Sequence, residues 1–274
     1  MEGHCRGSAR AEGARIATDP LPGSLGGVPD ERGLDAAPSP ATRLERTLRE
    51  AEILAMERVA IGSNAVFQVV LGGPDGELRA IYKPARGERP LWDFPPGTLH
   101  RREVATAAVD TALHWDFTPT TVIRPRAPFG IGSIQAFVPE PPSDLVLDRQ
   151  LLEHRLRGLA ALDVVVNNAD RKRAHLLVDP DGDLKGIDHG VTFNTEFKLR
   201  TVLAELGGSP VPEEWLGGLR SLIADQARMN RLRVKLRPLL SRAEIRAFES
   251  RARELLAAGV FPTLHPWHGR PFEM

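Results

Sequence analysis

A chain of 274 residues, 42% of them hydrophobic, is long enough for one domain of two lobes and can bury a sizeable core. Its 36 Lys and Arg balance 36 Asp and Glu, so no net charge draws it to nucleic acid or to a stable membrane association. A single cysteine, Cys5, excludes an intrachain disulfide framework, no apolar run approaches the roughly 20 residues of a bilayer span, and Met1 to Arg10 lack the apolar core of a secretory signal; the expectation is a soluble cytoplasmic protein.

Residues 1–40 are rich in Gly, Ala, Pro, Arg and Asp and poor in large apolar groups, which predicts a disordered extension. Ser39-Pro40 then starts a helix along which Leu44, Leu48 and Leu54 recur at near-helical spacing. Val66 to Leu71 reads as a strand, Gly72-Gly73-Pro74-Asp75-Gly76 as a turn, and Glu77 to Lys83 as the returning strand. Pro84 to Gly97 is loop. Thr98 to Trp115 is helical, with Val104, Ala108 and Ala112 on one side. Two short strands cover Thr120 to Ile123 and Ile131 to Val138, and Pro139-Glu140-Pro141-Pro142 marks a boundary.

Beyond that boundary the pattern is mostly helical. Leu151, Leu152, Leu156, Leu159 and Leu162 form an amphipathic stripe, and a short hairpin joins Leu176–Val178 to Leu184–Ile187 through Asp179-Pro180-Asp181-Gly182. Helices follow over 213–228 and 241–257, the second with a Ser241–Glu244 capping box and Gly259 as its stop. No internal repeat is present. The expected fold is α+β in two lobes, a small β-rich N-lobe over 41–138 and a helical C-lobe over 139–274, with the junction between them as the natural ligand site.

Asp170 lies just before the short hairpin and Asp188 just after it, with His175 five residues beyond the first acid. Either acid alone reads as a turn residue. Together they match what phosphoryl transfer needs: one carboxylate to orient an attacking hydroxyl and another, with a neighbouring ligand, to hold Mg2+ against the phosphates. A single hairpin brings the two ends together at little loop-closure cost.

The run Leu162-Asp163-Val164-Val165-Val166-Asn167-Asn168-Ala169-Asp170-Arg171 resembles the catalytic loop of type II phosphatidylinositol 4-kinases and of related kinase-like proteins such as the HipA group and the Fam20 kinases. Ile187-Asp188-His189-Gly190 resembles the metal-binding Asp-x-Gly segment of the same phosphatidylinositol 3/4-kinase-related superfamily, and the chain is similar to an uncharacterised bacterial family with His at position 175. The resemblance implies a bilobal protein kinase-like fold that binds ATP and Mg2+, with Asp170 as the catalytic carboxylate, Arg171 steadying the loop or a phosphate, and Asp188 as a metal ligand. Where the superfamily carries Asn or another metal ligand, this chain has His175, a softer ligand than an amide oxygen.

Ala80-Ile81-Tyr82-Lys83-Pro84, followed by Glu88-Arg89-Pro90, is similar to the lysine strand and Glu-Pro loop of type II phosphatidylinositol 4-kinases, which implies that Lys83 grips the phosphates. Strand alternation puts Ile81 on the same face, against the adenine. Glu103, on the next helix, is the expected partner of Lys83. Ile61-Gly62-Ser63-Asn64 resembles the phosphate-covering turn, with Gly62, Ser63 and Asn64 at the phosphates. Gln135, Phe137 and Val138 fall at the expected hinge against the adenine edge.

The expected activity is transfer of phosphate from ATP to a hydroxyl on a protein or small molecule. A lipid acceptor is disfavoured by the lack of an insertion helix or a cysteine-rich palmitoylation site. Two alternatives stand beside it: a pseudokinase that binds nucleotide without transfer, which His175 favours, and a metal-dependent phosphoesterase or nuclease built on Asp170, His175 and Asp188, which leaves Lys83 without a role. The basic run Arg228 to Arg237 reads as a solvated helix face.

Overall fold

The computed structural model describes residues 39–59, 64–74 and 76–264. Gly62 and Ser63 lie outside the described residues, as do Cys5 and almost all of the expected N-terminal extension.

Ser39 caps the first helix, α1 (Pro40–Glu50), by accepting from Thr42 N, and Pro40 supplies the fixed φ of a first helical position. The chain then turns extended at Ala51 and becomes β1 (Glu52–Val59). This overturns the expected continuation of the helix to Leu54. That residue is on β1 and is half exposed, so its helical spacing from Leu48 is coincidental. Cross-strand pairing with β2 (Val66–Gly73) claims the backbone of this segment instead.

β2 returns through the Gly-rich turn into β3 (Gly76–Pro84), where Gly76 sits at φ 113°. After a helix come β4 (Thr121–Arg124) and β5 (Gly132–Ala136), the latter shorter than the sequence suggests. All five strands form one antiparallel sheet in the order β1-β2-β3-β5-β4. One face buries Phe67, Val69, Leu71, Ala80, Tyr82, Val122 and Ile134 against Leu48 of α1. Arg124 locks that helix by donating to Leu48 O and Ala51 O, which places a cation on a helix C-terminus.

The helix between β3 and β4 is α2 (Leu99–Leu113). It leaves the sheet but buries Ala105, Val109 and Leu113 in the core of the helical half. That core is centred on α3 (Arg149–Val166), whose last turns, from Gly158 onward, are wholly enclosed. Gly158 itself is required there, because a Cβ would stand 2.5 Å from the rings of both Phe117 and Trp215. The hairpin β6 (Leu176–Val178) and β7 (Leu184–Gly186) follows, its turn closed by Asp179 accepting from Asp181 N and Asp183 N.

The helix expected over 213–228 is two helices, α4 (Glu213–Ala224) and α5 (Gln226–Leu236). Asp225 breaks it, and its carboxylate accepts from Arg228 N to start the second helix. The capping box of α6 (Arg242–Ala258) forms as the sequence indicates, and Gly259 ends the helix at φ 65°. Among the described residues, no helix is long and apolar enough to cross a membrane.

Asp110 of α2 fixes the exit towards β4. One oxygen, Oδ2, accepts from Phe117 N, Thr118 N and Thr118 Oγ1, while Oδ1 is buried without a partner. Burial pushes its pKa up to about 6, against the pull of the Thr118 and Phe117 donors. A carboxyl whose folded pKa lies above its unfolded value favours the fold most below about pH 4. That contribution is lost as the pH rises through about 6. Asp110→Asn should therefore gain on the wild type by up to roughly 3 kcal/mol between pH 4 and pH 7, at about 1.4 kcal/mol per unit. Urea unfolding at the two pH values measures this directly.

Candidate active site

Lys83 closes β3. The alternation that sends Ala80 and Tyr82 into the sheet core leaves Ile81 and Lys83 together on the other face. Across the strand pair, Ile81 sits opposite Gln135 and Lys83 opposite Ser133. The Lys83 ammonium meets two carboxylates. Glu103 Oε1, from α2, is 2.5 Å away, and Asp188 Oδ1, from the segment after β7, is 2.8 Å away. One side chain thus joins the sheet, α2 and the helical half.

Burial opposes the charge on Lys83, but Asp188 and Glu103 outweigh it and hold the ammonium above its ordinary pKa. Lys83 in turn holds Asp188 well below the usual carboxylate range, against burial. Burial raises Glu103, and the Lys83 charge opposes that rise. Its second oxygen accepts from His189 N at 3.0 Å, so both ends of this carboxylate are engaged. Asp188 stands at φ 61°. A non-glycine residue enters that region at a cost of about 1–2 kcal/mol, which the contacts of its carboxylate offset.

The position of Glu103 depends on where α2 begins, and Glu88 determines that. Its two oxygens accept from Leu99 N at 3.0 Å and His100 N at 2.8 Å, and Oε1 is also 2.7 Å from His100 Nδ1. A carboxylate is thereby placed on a helix N-terminus. Gly87, just before it, packs so closely on Ala65 that a Cβ would approach the Ala65 Cβ to 2.4 Å. Asn64 accepts from Arg89 N with its side-chain oxygen, so here it holds the loop as an acceptor.

The loop that carries Asp170 is built on a buried ion pair. Asp163, fully enclosed in the last turns of α3, receives Arg171 Nε at 2.8 Å and Nη2 at 2.9 Å, and Asn168 Nδ2 at 2.9 Å. Asn168 Oδ1 accepts from Asp170 N. The remaining Arg171 nitrogen donates to Ile187 O and His175 O, which ties the loop to both sides of the hairpin. Arg171 is wholly buried and committed to these partners, so it steadies the loop and is not placed to touch a phosphate. Asp170 is partly exposed, with Oδ2 3.0 Å from Lys172 Nζ.

His189 is enclosed, and its Nε2 lies 2.6 Å from Arg171 Nη2. A guanidinium has no lone pair, so this nitrogen is the acceptor. Burial and the Arg171 charge hold the ring neutral, well below its usual pKa. His175 has Nδ1 3.3 Å from Lys172 N, which donates to it, and Nε2 3.3 Å from Asp188 Oδ2.

At the expected hinge, Gln135 is buried and donates to Thr121 Oγ1. Phe137 lies under the Arg79 guanidinium, 4.1 Å from its ring centre. The amides of Ala136 and Phe137 already donate to Thr120 O and Arg79 O. Hydrogen bonds from amides to a base edge would therefore begin at Val138.

Four residues of this arrangement have no assigned role from sequence: Glu88, Asp163, Asn168 and His189. An acid inside the apolar run Leu162 to Val166 was a usable signal for Asp163, because a helix buries such a group only with a partner.

No family model matches the chain. Protein Rv2133c of Mycobacterium tuberculosis is 37% identical over 251 residues, covering 78% of this chain and 89% of its own length. The chain belongs to the family of Protein Rv2133c. The fold of this chain is kinase-like. The structure of hydra Fam20 with sugar superposes with a TM-score of 0.56 over 81% of this chain and 89% of that one, at 14% identity. The Golgi casein kinase with Mn/ADP bound gives 0.53 over 82% of this chain and 80% of that one, at 16% identity.

Proposed function

We propose that the chain is an ATP- and divalent-metal-dependent phosphotransferase acting on a hydroxyl of a protein or small molecule. The observation that carries this reading is the Lys83 ammonium bonded at once to Glu103 and Asp188 across the junction of sheet and helical half. A lysine at a strand end ordinarily stays in solvent. Here it is held beside a half-exposed carboxylate, next to the loop that presents Asp170. The phosphoesterase alternative gives this lysine nothing to do.

The donor set fits a hard cation that arrives with its nucleotide. Among the described residues no group of three or more His, Cys, Asp or Glu could hold a metal ion. Mg2+ commonly takes one or two carboxylates and completes its shell with phosphates and water. Asp188 would hold it, and the ion would neutralise charge on the phosphates. Lys83, kept in place by Glu103, would exchange Asp188 for the α- and β-phosphates. Asp170 would orient the acceptor hydroxyl and take its proton. Ile81 would pack against the adenine, with Val138 at its edge and Gly62, Ser63 and Asn64 at the phosphate-covering turn.

The named structural neighbours are a Fam20 protein and a Golgi casein kinase, while the likeness to type II phosphatidylinositol 4-kinases and HipA rests on the motifs alone. The pseudokinase reading retains one supporting observation, a histidine at 175 in contact with the metal acid. Thermal shift with ATP and Mg2+ tests nucleotide binding. Ligand at 100 times its dissociation constant should stabilise the wild type by about 2.7 kcal/mol. Lys83→Ala and Asp188→Ala should each lose most of that shift. Equal stabilisation of all three proteins would sink the proposal.

A further inference from the structure

His175 closes a small ring of its own. Arg173 to His175 form one 3-10 turn, in which His175 N donates to Lys172 O at 3.1 Å and Lys172 N donates back to His175 Nδ1 at 3.3 Å. A main-chain N–H can only donate, so Nδ1 must carry a lone pair. A neutral imidazole with its lone pair on Nδ1 has its proton on Nε2. The Nε2 edge, with its N–H, lies 3.3 Å from Asp188 Oδ2 as a close polar contact without the geometry of a hydrogen bond.

We propose that His175, held by the Lys172 N–H at Nδ1, is a positioning residue whose protonated Nε2 edge packs beside the Asp188 carboxylate, and that it is not a ligand of the metal. The proposal rests on the phosphotransferase reading for its function, but its geometry belongs to the protein alone. For Nε2 to bind a cation, the proton would have to move to Nδ1, where it would point at the Lys172 N–H and set two donors face to face. An imidazolium meets the same conflict. The side chain is almost enclosed, so it has little freedom to turn over.

The brace complements what Lys83 does on the other oxygen. Lys83 holds Oδ1 and His175 faces Oδ2, so the Asp188 carboxylate is fixed in a backbone conformation that non-glycine residues avoid. Asp188 is then the one side-chain metal ligand of the pair.

Long-range proton–nitrogen correlation on the metal-free full chain, labelled with 15N-histidine, tests the tautomer. The His175 signals, assigned by their absence in His175→Gln, should show the Nε2–H form; the Nδ1–H form would overturn the proposal. Pulsed EPR of Mn2+ with ADP on the same chain should show no directly bonded imidazole nitrogen. A nitrogen coupling lost in His175→Gln would make His175 a ligand and overturn it too. Partners that orient a metal ligand contribute about 10–100-fold to metal affinity. His175→Leu should therefore weaken Mn2+–ADP binding at least about tenfold. His175→Gln, which keeps an N–H at the same reach, should restore it to within about threefold. Unchanged affinity in His175→Leu would remove the brace. If Mn2+–ADP does not bind the wild type at all, the phosphotransferase reading fails, while the tautomer measurement still decides the role of His175.

Discussion

Arg171→Met should cost the fold about 3–5 kcal/mol, the penalty for stripping one partner from a buried ion pair. Asp163 is almost completely enclosed and receives two of the Arg171 nitrogens. Without the guanidinium it is left as an uncompensated charge in the core. Ile187 O and His175 O lose a donor as well, so the loop that carries Asp170 and the hairpin that leads to Asp188 separate. For a domain of this size the loss corresponds to a fall in Tm of about 10 °C, at 2–4 °C per kcal/mol. Arg171→Lys should recover little, because an ammonium cannot reproduce the two-pronged pairing and the third contact together. Asp163→Leu combined with Arg171→Met should recover a substantial part, since no charge then remains unpaired. Urea unfolding of the four proteins decides the matter. A single variant within about 1 kcal/mol of the wild type would show that the ion pair does not hold the loop.

Features with a local cause were legible in the sequence. The Gly-rich turn before β3 and the Asp179 turn of the second hairpin each carry their own chemistry in a few adjacent residues. So does the capping box of α6. Alternation along β3 was enough to put Ile81 and Lys83 on one face. β1 escaped notice because it is an edge strand with no clean alternation of buried and exposed positions, and its existence depends on pairing with β2. The break at Asp225 looked like a mid-helix polar residue; only its side-chain bond to Arg228 N reveals a cap.

The supports of the site were hidden for a related reason. Glu88 bonds to residues eleven and twelve positions away, across an intervening proline-rich loop, and no local pattern announces such a cap. Arg171 stands beside Asp170 in sequence, and the resemblance left open whether it steadies the loop or a phosphate. Burial decides against the phosphate, and burial is a property of the packed chain. The pairing of Lys83 with Asp188 spans 105 residues; the resemblance implied a role for each residue, but their direct bond came only with the folded chain.

Asp170→Asn should separate transfer from binding. An amide keeps the shape of the side chain and its place on a loop held by Asn168 and Asp163, neither of which bonds to the Asp170 carboxylate in the structure. What it loses is the ability to take a proton and to pair with Lys172. Proton transfer by a positioned side chain is worth about 10²–10⁴-fold in rate, so phosphate transfer should fall by about that factor. Nucleotide affinity should stay within about threefold, because Lys83, Glu103 and Asp188 carry that interaction and are untouched. The measurement pairs labelled ATP, with a cell extract as the source of acceptors, against a thermal titration with ATP and Mg2+. Transfer lost while binding persists identifies an enzyme whose base is Asp170. Binding in both proteins with transfer in neither identifies a pseudokinase, and the Lys83 bridge then serves to order the junction around a nucleotide. Transfer undiminished in Asp170→Asn would place the proton acceptor elsewhere and leave Asp170 as the counter-charge of Lys172.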